Sequence, residues 1–181
     1  KIDIKTEPEI KNITYLYTKE TLGNEVILKD AIVVWKHKRN AIIKQSKEGR
    51  GLFLYGCAGE LNVGKRYDLL VRAVKSYKGL KEATHVYILK SRGQGDISAY
   101  LLNQRDLTKK RNYRQNEVIT NLKGIYKDKH FYVDGRKIPI YFKNKKGIPP
   151  SGAKLKIHNA LLGYYKKLQL VIYSKKDFEI Y

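Results

Sequence analysis

The stretch GKRYDL at residues 64–69 is matched 88 positions later by GAKLKI at residues 152–157. In both stretches a glycine precedes a run in which apolar residues alternate with polar ones, the pattern of a half-buried β-strand. The stretch YKGL at residues 77–80 is matched at the same offset by YKKL at residues 165–168. These two matches predict that one strand–turn–strand unit occurs twice in the chain.

Further strand-like runs surround each copy of this unit. They lie at residues 26–28, 31–35, 41–45, 52–55, 117–126, 130–133 and 137–142. Asp134-Gly135, between the last two runs, is a strong two-residue hairpin signal. Five strands joined by short turns in about 65 residues are typical of a small barrel or sandwich. We therefore expect two consecutive five-stranded barrels, near residues 25–90 and 117–181.

The residues between the two predicted barrels differ in composition. SRGQG at residues 91–95 indicates a flexible break, and KKRNYRQ at residues 109–115 is polar and basic. We therefore expect a lead and a first barrel over residues 1–92, a linker over residues 93–116 and a second barrel over residues 117–181.

Two local features refine this prediction. The lead carries apolar residues at helical spacing over residues 10–17, which predicts a short amphipathic helix. Pro139 lacks a backbone donor, so the strand at residues 137–142 is predicted to lie at the edge of its sheet.

Composition limits the classes of function. The 181 residues include 38 lysines and arginines against 17 acidic residues, a formal net charge of +21. Both strand-rich blocks are basic, which is the electrostatic footprint expected of a protein that binds a polyanion. The alternative is that the lysines only keep the strand faces soluble. No apolar run approaches the roughly 20 residues of a membrane-spanning helix, and a single cysteine excludes an internal disulfide framework.

The predicted unit resembles the OB-fold in its central hairpin, the glycine before its fourth strand and the Tyr-x-x-Leu turn into its fifth. The first unit with its lead (residues 10–17, 31–34, 51–55 and 63–67) is similar to an uncharacterised OB-fold-like module of Bacteroidota surface lipoproteins and secreted proteins. The expected fold is therefore all-β, with two tandem five-stranded OB-fold-like Greek-key barrels and a short N-terminal helical lead. The resemblance also implies a protein of the cell envelope or a secreted one, and it provides no catalytic residues.

No motif for catalysis emerges from the sequence. GELNVGKR at residues 59–66 is close to a phosphate-binding P-loop, but Arg66 stands where a magnesium ligand is needed and a strand follows, so we predict a turn. The four histidines (His37, His85, His130 and His158) are dispersed, and the carboxylates are isolated. Cys57 has no basic neighbour that would activate it, and it is predicted to be an inert thiol. We expect no enzymatic activity, no cofactor and no metal.

Aromatic side chains interleaved with lysine and arginine are the stronger signal, because single-strand binding combines base stacking with cations along the phosphates. The second and third strands of an OB barrel form its usual ligand face. On these grounds the predicted binding residues are Lys36, Lys38, Arg39, Lys44, Arg50 and Tyr55 in the first barrel and Tyr132, Arg136, Lys137, Tyr141 and Lys143 in the second. The expected partner is single-stranded nucleic acid or another polyanion. The alternative is a structural or interaction module of an exported protein, since tyrosine is also an ordinary strand residue.

Overall fold

The computed structural model describes residues 7–181, and the chain divides into two compact units. The second unit comprises Lys78–Leu80 and Leu101–Tyr181, and the first comprises the remaining residues up to Tyr100. The first unit starts with a lead strand and one helical turn, followed by five strands. These elements are β1 (Glu9–Lys11), α1 (Ile13–Leu16), β2 (Val26–His37), β3 (Asn40–Lys44), β4 (Leu52–Leu54), β5 (Lys65–Tyr77) and β6 (Leu80–Gln94).

The five main strands of the first unit close into a barrel. Their order is β2-β3-β4-β6-β5, and β5 pairs back onto β2. The pairing of β4 with β6 is parallel, and the pairings of β2 with β3 and with β5 are antiparallel. This is the Greek-key order of the OB-fold. Register shifts in β2 after Leu28 and after Val33 mark bulges, which bend a long strand around the barrel.

The second unit repeats the arrangement. Its strands are β7 (Leu102–Asn103), β8 (Glu117–Lys127), β9 (His130–Val133), β10 (Arg136–Phe142), β11 (Lys154–Tyr164), β12 (Leu168–Ile172) and β13 (Phe178–Ile180). β8, β9, β10, β12 and β11 close the barrel in that order, with β10 parallel to β12 and β11 paired to β8. The prediction of two tandem five-stranded OB-like barrels is confirmed.

Each barrel encloses its own apolar core, and strand alternation explains which residues enter it. Tyr67 and Leu69 of β5 point inward in the first barrel, where both are almost completely buried. Leu155 and Ile157 of β11 occupy the matching positions in the second barrel. The apolar positions of the GKRYDL and GAKLKI stretches are therefore equivalent core positions.

The glycines of these two stretches are also equivalent. Gly64 and Gly152 have φ of +85° and +94°, a conformation that favours glycine. The N–H of Gly64 donates to the carbonyl oxygen of Val33 at 2.8 Å, and that of Gly152 donates to Tyr126 at 2.7 Å. In each barrel, the fourth strand therefore starts from a left-handed glycine anchored to the first strand.

The repeat extends into the lead segments. β1 pairs in parallel with β2, with Ile10 opposite Ile27, and β7 pairs in parallel with β8, with Leu102 opposite Ile119. The separation in sequence is the same in both pairs. The predicted lead helix is reduced to the single turn α1, because residues 9–11 form a strand instead.

Two predictions about the segments around the barrels need correction. Residues 91–95 do not form a break, because β6 continues to Gln94, and β7 within the predicted linker (residues 93–116) belongs to the second unit. Pro139 does not mark an edge strand, since β10 pairs with both β9 and β12. Pro139 is the last β10 residue opposite β9, and pairing with β12 begins at Ile140, so the missing N–H falls between the two ladders.

Candidate nucleic-acid interface

The outer face of the second barrel carries a row of four side chains across four neighbouring strands. Tyr132 of β9 lies between Ile125 of β8 and Lys137 of β10, and Lys154 of β11 lies on the other side of Ile125. Ile125 is 42% exposed and Tyr132 is 37% exposed. Side chains directly opposite one another on neighbouring strands lie about 5 Å apart. Two exposed apolar side chains therefore lie side by side, with a lysine at each end of the row.

Tyr132 points outward because its neighbour in sequence, Phe131, points inward, and successive side chains of a strand alternate between the two faces. Phe131 is completely buried. Its direct neighbours on the two flanking strands are Tyr126 of β8 and Ile138 of β10. Gly124 makes room for this ring, since a Cβ at Gly124 would come within 2.7 Å of the Phe131 ring and collide with the Tyr132 carbonyl oxygen. The close approach of β8 and β9 thus sets the orientation of both aromatic residues.

A second exposed tyrosine lies further along β10. Tyr141 is 37% exposed, and its inward neighbour Phe142 packs edge-to-face on Tyr126 with ring centroids 5.4 Å apart. Tyr141 lies four positions after Lys137, the partner of Tyr132, which corresponds to roughly 13 Å along a strand. Successive side chains of a strand point to opposite faces, so Tyr132 and Tyr141 face outward while Phe131 and Phe142 face the core.

Lysines surround Tyr141. The Lys145 ammonium lies 3.8 Å from the centroid of the Tyr141 ring, and the Lys143 ammonium lies 5.7 Å from it. The Lys143 ammonium also lies 5.4 Å from the ring of Tyr173. These cation–π contacts hold the lysines close to a ring on which a base could stack.

Other lysines on this outer face did not emerge from the sequence as binding residues. Lys123 and Lys127 are exposed and lie on either side of Ile125 along β8, and Lys154 lies opposite Ile125. The alternation in KGIYK at residues 123–127 was the available signal, since it places both lysines and Ile125 on one face. Lys154 could be placed only by the pairing of β8 with β11.

Arg136 lies apart from the other predicted residues of the second barrel. Alternation along β10 directs it away from the face of Lys137, and its Nη2 donates to the Thr108 carbonyl oxygen at 3.0 Å. Its guanidinium also lies 5.7 Å from the centroid of the Tyr113 ring. The structure therefore brings together Tyr132, Lys137, Tyr141 and Lys143 and assigns Arg136 to internal contacts.

Three of the residues predicted in the first barrel are engaged in the fold. Lys44 is completely buried and donates to the Lys47 carbonyl oxygen at 2.9 Å. The guanidinium of Arg50 lies 3.5 Å from the centroid of the Tyr17 ring. Lys36 donates to the carbonyl oxygens of Gly59 and Leu61 at 3.0 and 2.7 Å. Lys44, Arg50 and Lys36 are thus held by neighbouring groups of the first unit.

Lys38, Arg39 and Tyr55 are exposed but do not form a continuous face with those residues. Arg39 donates from Nε to the Gly56 carbonyl oxygen at 3.2 Å, and Tyr55 has the Lys75 ammonium 5.1 Å from its ring. The outward positions between them on β3 and β4 are Ile42 and Phe53, which are only 1% and 7% exposed. The second and third strands of the first barrel therefore present apolar side chains where a basic face was predicted.

The remaining reactive groups are built into the fold. Burial raises the pKa of the Cys57 thiol to about 11, so the thiol stays protonated near neutral pH. The P-loop-like segment forms turns and leads into strand β5, as predicted, with no helix after it. Within residues 7–181, histidines, cysteine and carboxylates form no group of three or more that could hold a metal ion. None of the helices in this part of the chain is long and apolar enough to span a bilayer.

No protein-family model matches the chain, and no curated protein matches its sequence. Among solved structures, a murine DNA-binding protein bound to double-stranded DNA is similar with a TM-score of 0.42 and 10% identity, over 86% of this chain and 94% of that chain. The Ifi202 HINa domain in complex with 20-bp double-stranded DNA gives a TM-score of 0.39 and 11% identity, over 89% and 96% of the two chains. The p204 HINb domain gives 0.39 and 13%, over 84% and 96%. Similarity this distant does not transfer a function from one chain to another.

Proposed function

We propose that the chain is a non-catalytic binding protein that takes up single-stranded nucleic acid on the outer face of its second barrel. The observation that carries the proposal is the row across β10, β9, β8 and β11, in which Tyr132 and Ile125 lie exposed between Lys137 and Lys154. Flat or apolar side chains accept the faces of bases, and flanking ammonium groups accept phosphates. This outer face is also where OB barrels accept extended ligands.

Exposed rings favour a single strand over a duplex. A base can stack on Tyr132 or Tyr141 only when its own face is open, whereas paired bases in a duplex are stacked on one another. Such stacking contributes about 1–3 kcal/mol per base and tolerates any base, because every base has a π-face. We therefore expect weak sequence preference. The two rings, roughly 13 Å apart along the strand direction, would stack bases that are not adjacent.

Electrostatic attraction would provide much of the affinity. The chain carries a net charge of +21, and the exposed lysines of this face (Lys123, Lys127, Lys137, Lys143, Lys145 and Lys154) surround both tyrosines. Each phosphate that is neutralised releases a counterion, so the logarithm of the affinity should fall linearly with the logarithm of salt concentration. A single strand gives a slope of about −0.7 per phosphate contact.

The test is fluorescence anisotropy with a 5′-labelled twelve-residue oligo-dT and a labelled twelve-base-pair duplex, each titrated at several KCl concentrations. We expect the single strand to bind more tightly than the duplex at every concentration, with a linear salt slope. Tighter binding of the duplex would contradict the single-strand proposal and leave polyanion binding intact. Absence of binding to either probe at moderate salt would exclude both.

The alternative, an exported interaction module with no nucleic-acid role, stays a prediction. It gains support only if neither oligonucleotide binds. The location in the cell envelope or outside the cell, and the specific similarity to the Bacteroidota module, also remain predictions from the sequence. The expectation that the chain is not an enzyme likewise stays a prediction.

A further inference from the structure

Strand β6 of the first barrel has an open edge. In the part of the chain that the structure describes, β4 pairs with β6 only at Glu82 and Ala83, while β5 flanks the opposite edge of β6. Next to this short ladder, the Cys57 side chain lies against the same edge, with its Sγ 3.6 Å from the Ala83 carbonyl oxygen. Beyond it, β6 continues to Gln94 with no described strand paired to this edge. Unpaired backbone groups of this kind are a template for an added strand.

A cavity of about 440 Å³ lies beside this edge, between β6 and the loop that joins β4 to β5. Four aliphatic residues are among those that line it: Leu61, Leu69, Val86 and Ile88. Arg39, Glu60 and His85 contribute its polar lining. Cavities of a few hundred Å³ that combine apolar and polar lining groups are the usual form of a ligand site.

The loop that forms the far wall is held in place. Lys36 bonds two of its carbonyl oxygens, and Arg39 bonds a third, that of Gly56. The N–H of Gly56 donates to the Asn40 side chain at 2.9 Å, and the N–H of Ala58 donates to the Arg39 carbonyl oxygen at 2.9 Å. The cavity is therefore formed before any ligand arrives, which lowers the entropic cost of binding.

The open edge carries three consecutive exposed apolar residues. Tyr87, Ile88 and Leu89 are 47%, 37% and 51% exposed. Natural proteins usually protect an open edge with charges, a proline or a very short strand, because an exposed apolar edge invites pairing. An edge left in this state next to a preformed cavity is the arrangement used for binding an extended peptide by strand addition.

The charged residues around the cavity favour one class of partner. Arg39 lines the cavity and Lys90 is exposed two residues beyond Ile88 on β6, so these two cations outnumber the carboxylate of Glu60 and an acidic ligand is complementary. A second copy of this chain is disfavoured, since each copy carries a net charge of +21. A nucleic acid fits poorly, because it has no peptide backbone whose N–H and C=O groups could pair with the open edge of β6.

We propose that this edge and cavity dock an extended acidic peptide of a partner protein. The peptide backbone pairs with β6 beyond Val86, alternate aliphatic side chains enter the cavity, and a carboxylate reaches the guanidinium of Arg39. The site lies in the first barrel and does not depend on the nucleic-acid interface of the second.

The test uses fluorescence anisotropy with two labelled ten-residue probes, (Leu-Glu)5 and (Leu-Lys)5, on the full chain. We expect the acidic probe to bind at least tenfold more tightly than the basic one. Ile88→Asp should weaken binding of the acidic probe at least tenfold, and the matched change Ile148→Asp, at an isoleucine of similar exposure, should leave it unchanged. Arg39→Glu should weaken it severalfold, whereas Lys38→Glu in the same turn should have a much smaller effect. Equal affinities of the two probes, or equal effects of the two isoleucine variants, would overturn the proposal.

Strand addition is tested separately by methylating the probe backbone. In an extended chain, the N–H groups of alternate residues point to opposite edges. One probe is methylated on all leucine nitrogens and the other on all glutamate nitrogens, and we expect one to lose binding and the other to keep it. Equal effects of the two methylations would overturn strand addition.

A twelve-residue oligo-dT added as competitor distinguishes the two surfaces. We expect it to leave the bound peptide in place. Displacement of the peptide from wild type together with loss of oligo-dT binding in Ile88→Asp would assign the cavity to nucleic acid and overturn the peptide proposal. Failure of the peptide test has no bearing on Tyr132 and Tyr141, so the two proposals can fail independently.

Discussion

The carboxylate of Asp68 accepts two hydrogen bonds from Arg92, from Nε at 2.7 Å and from Nη2 at 2.8 Å. Asp68 belongs to β5 and is almost completely buried, while Arg92 lies near the end of β6. The backbone N–H of Asp30, in the first bulge of β2, donates to the same carboxylate at 2.9 Å. One buried carboxylate thus joins three strands of the first barrel and keeps the last part of β6 in place.

Acid should weaken the first barrel through Asp68. The hydrogen bonds from Arg92 hold the pKa of this carboxyl well below its usual range, against the opposing effect of burial. Its folded pKa is therefore lower than its unfolded pKa, so its contribution to stability is present above about pH 4 and is lost as the pH falls towards the folded value. Urea unfolding at pH 5 and pH 3 should show a smaller pH dependence for Asp68→Asn than for wild type.

The matched control for Asp68→Asn is Asp30→Asn, which alters an exposed pair with Arg66. At pH 7 we expect Asp68→Asn to lower the free energy of unfolding by about 2 kcal/mol, because it removes hydrogen bonds between charged groups. Asp30→Asn should cost under about 1 kcal/mol. Parallel pH profiles for wild type and Asp68→Asn would show that another group dominates the acid response.

Gly124→Ala should destabilise the second barrel. The added methyl would press on the Phe131 ring and the Tyr132 carbonyl oxygen, forcing β8 and β9 apart. Overpacking of this kind typically costs about 1–3 kcal/mol. Gly23→Ala is the control, since a Cβ there meets nothing within 4 Å. Urea titrations should give a lower midpoint for Gly124→Ala alone, and identical midpoints would contradict the packing described here.

Tyr132→Ala and Tyr141→Ala should each weaken oligo-dT binding by roughly tenfold or more, since stacking contributes about 1–3 kcal/mol per base. The salt slope should stay nearly constant, because no cation is removed. Phenylalanine at either position should restore most of the affinity. Tyr87→Ala, at an exposed tyrosine of the first barrel, serves as the control. An equal loss in Tyr87→Ala would show that the effect does not depend on the outer face of the second barrel.

Replacing Lys123 and Lys127 together by glutamine should change the salt dependence instead. We expect the slope against the logarithm of KCl concentration to flatten by up to about 0.7 for each lost phosphate contact. The same change at Lys109 and Lys110, exposed in the turn region before β8, should leave the slope unchanged. Arg136→Gln should also leave it unchanged, because this guanidinium bonds the Thr108 carbonyl oxygen. Equal slopes for all variants would show that the lysines of β8 do not contact phosphates of the nucleic acid.

The sequence by itself determined the repeat and the inward or outward direction of many side chains. Alternation has a period of two residues, so Phe131 and Tyr132 must face opposite sides of a strand whatever the rest of the fold does. The glycines at positions 64 and 152 marked equivalent strand starts for a similarly local reason, because a positive φ favours glycine. Such features depend on neighbouring residues and are therefore visible in a single sequence.

Only the tertiary structure decided which outward positions remain exposed and which side chains meet. Lys44 alternates like a surface residue, yet it is buried, and Lys154 joins the row of Tyr132 only because β11 pairs with β8. β6 extends through a stretch of flexible composition because Arg92 reaches Asp68, a partner 24 residues away in sequence. Burial and strand register depend on pairings between distant segments, and no local pattern of residues specifies those pairings.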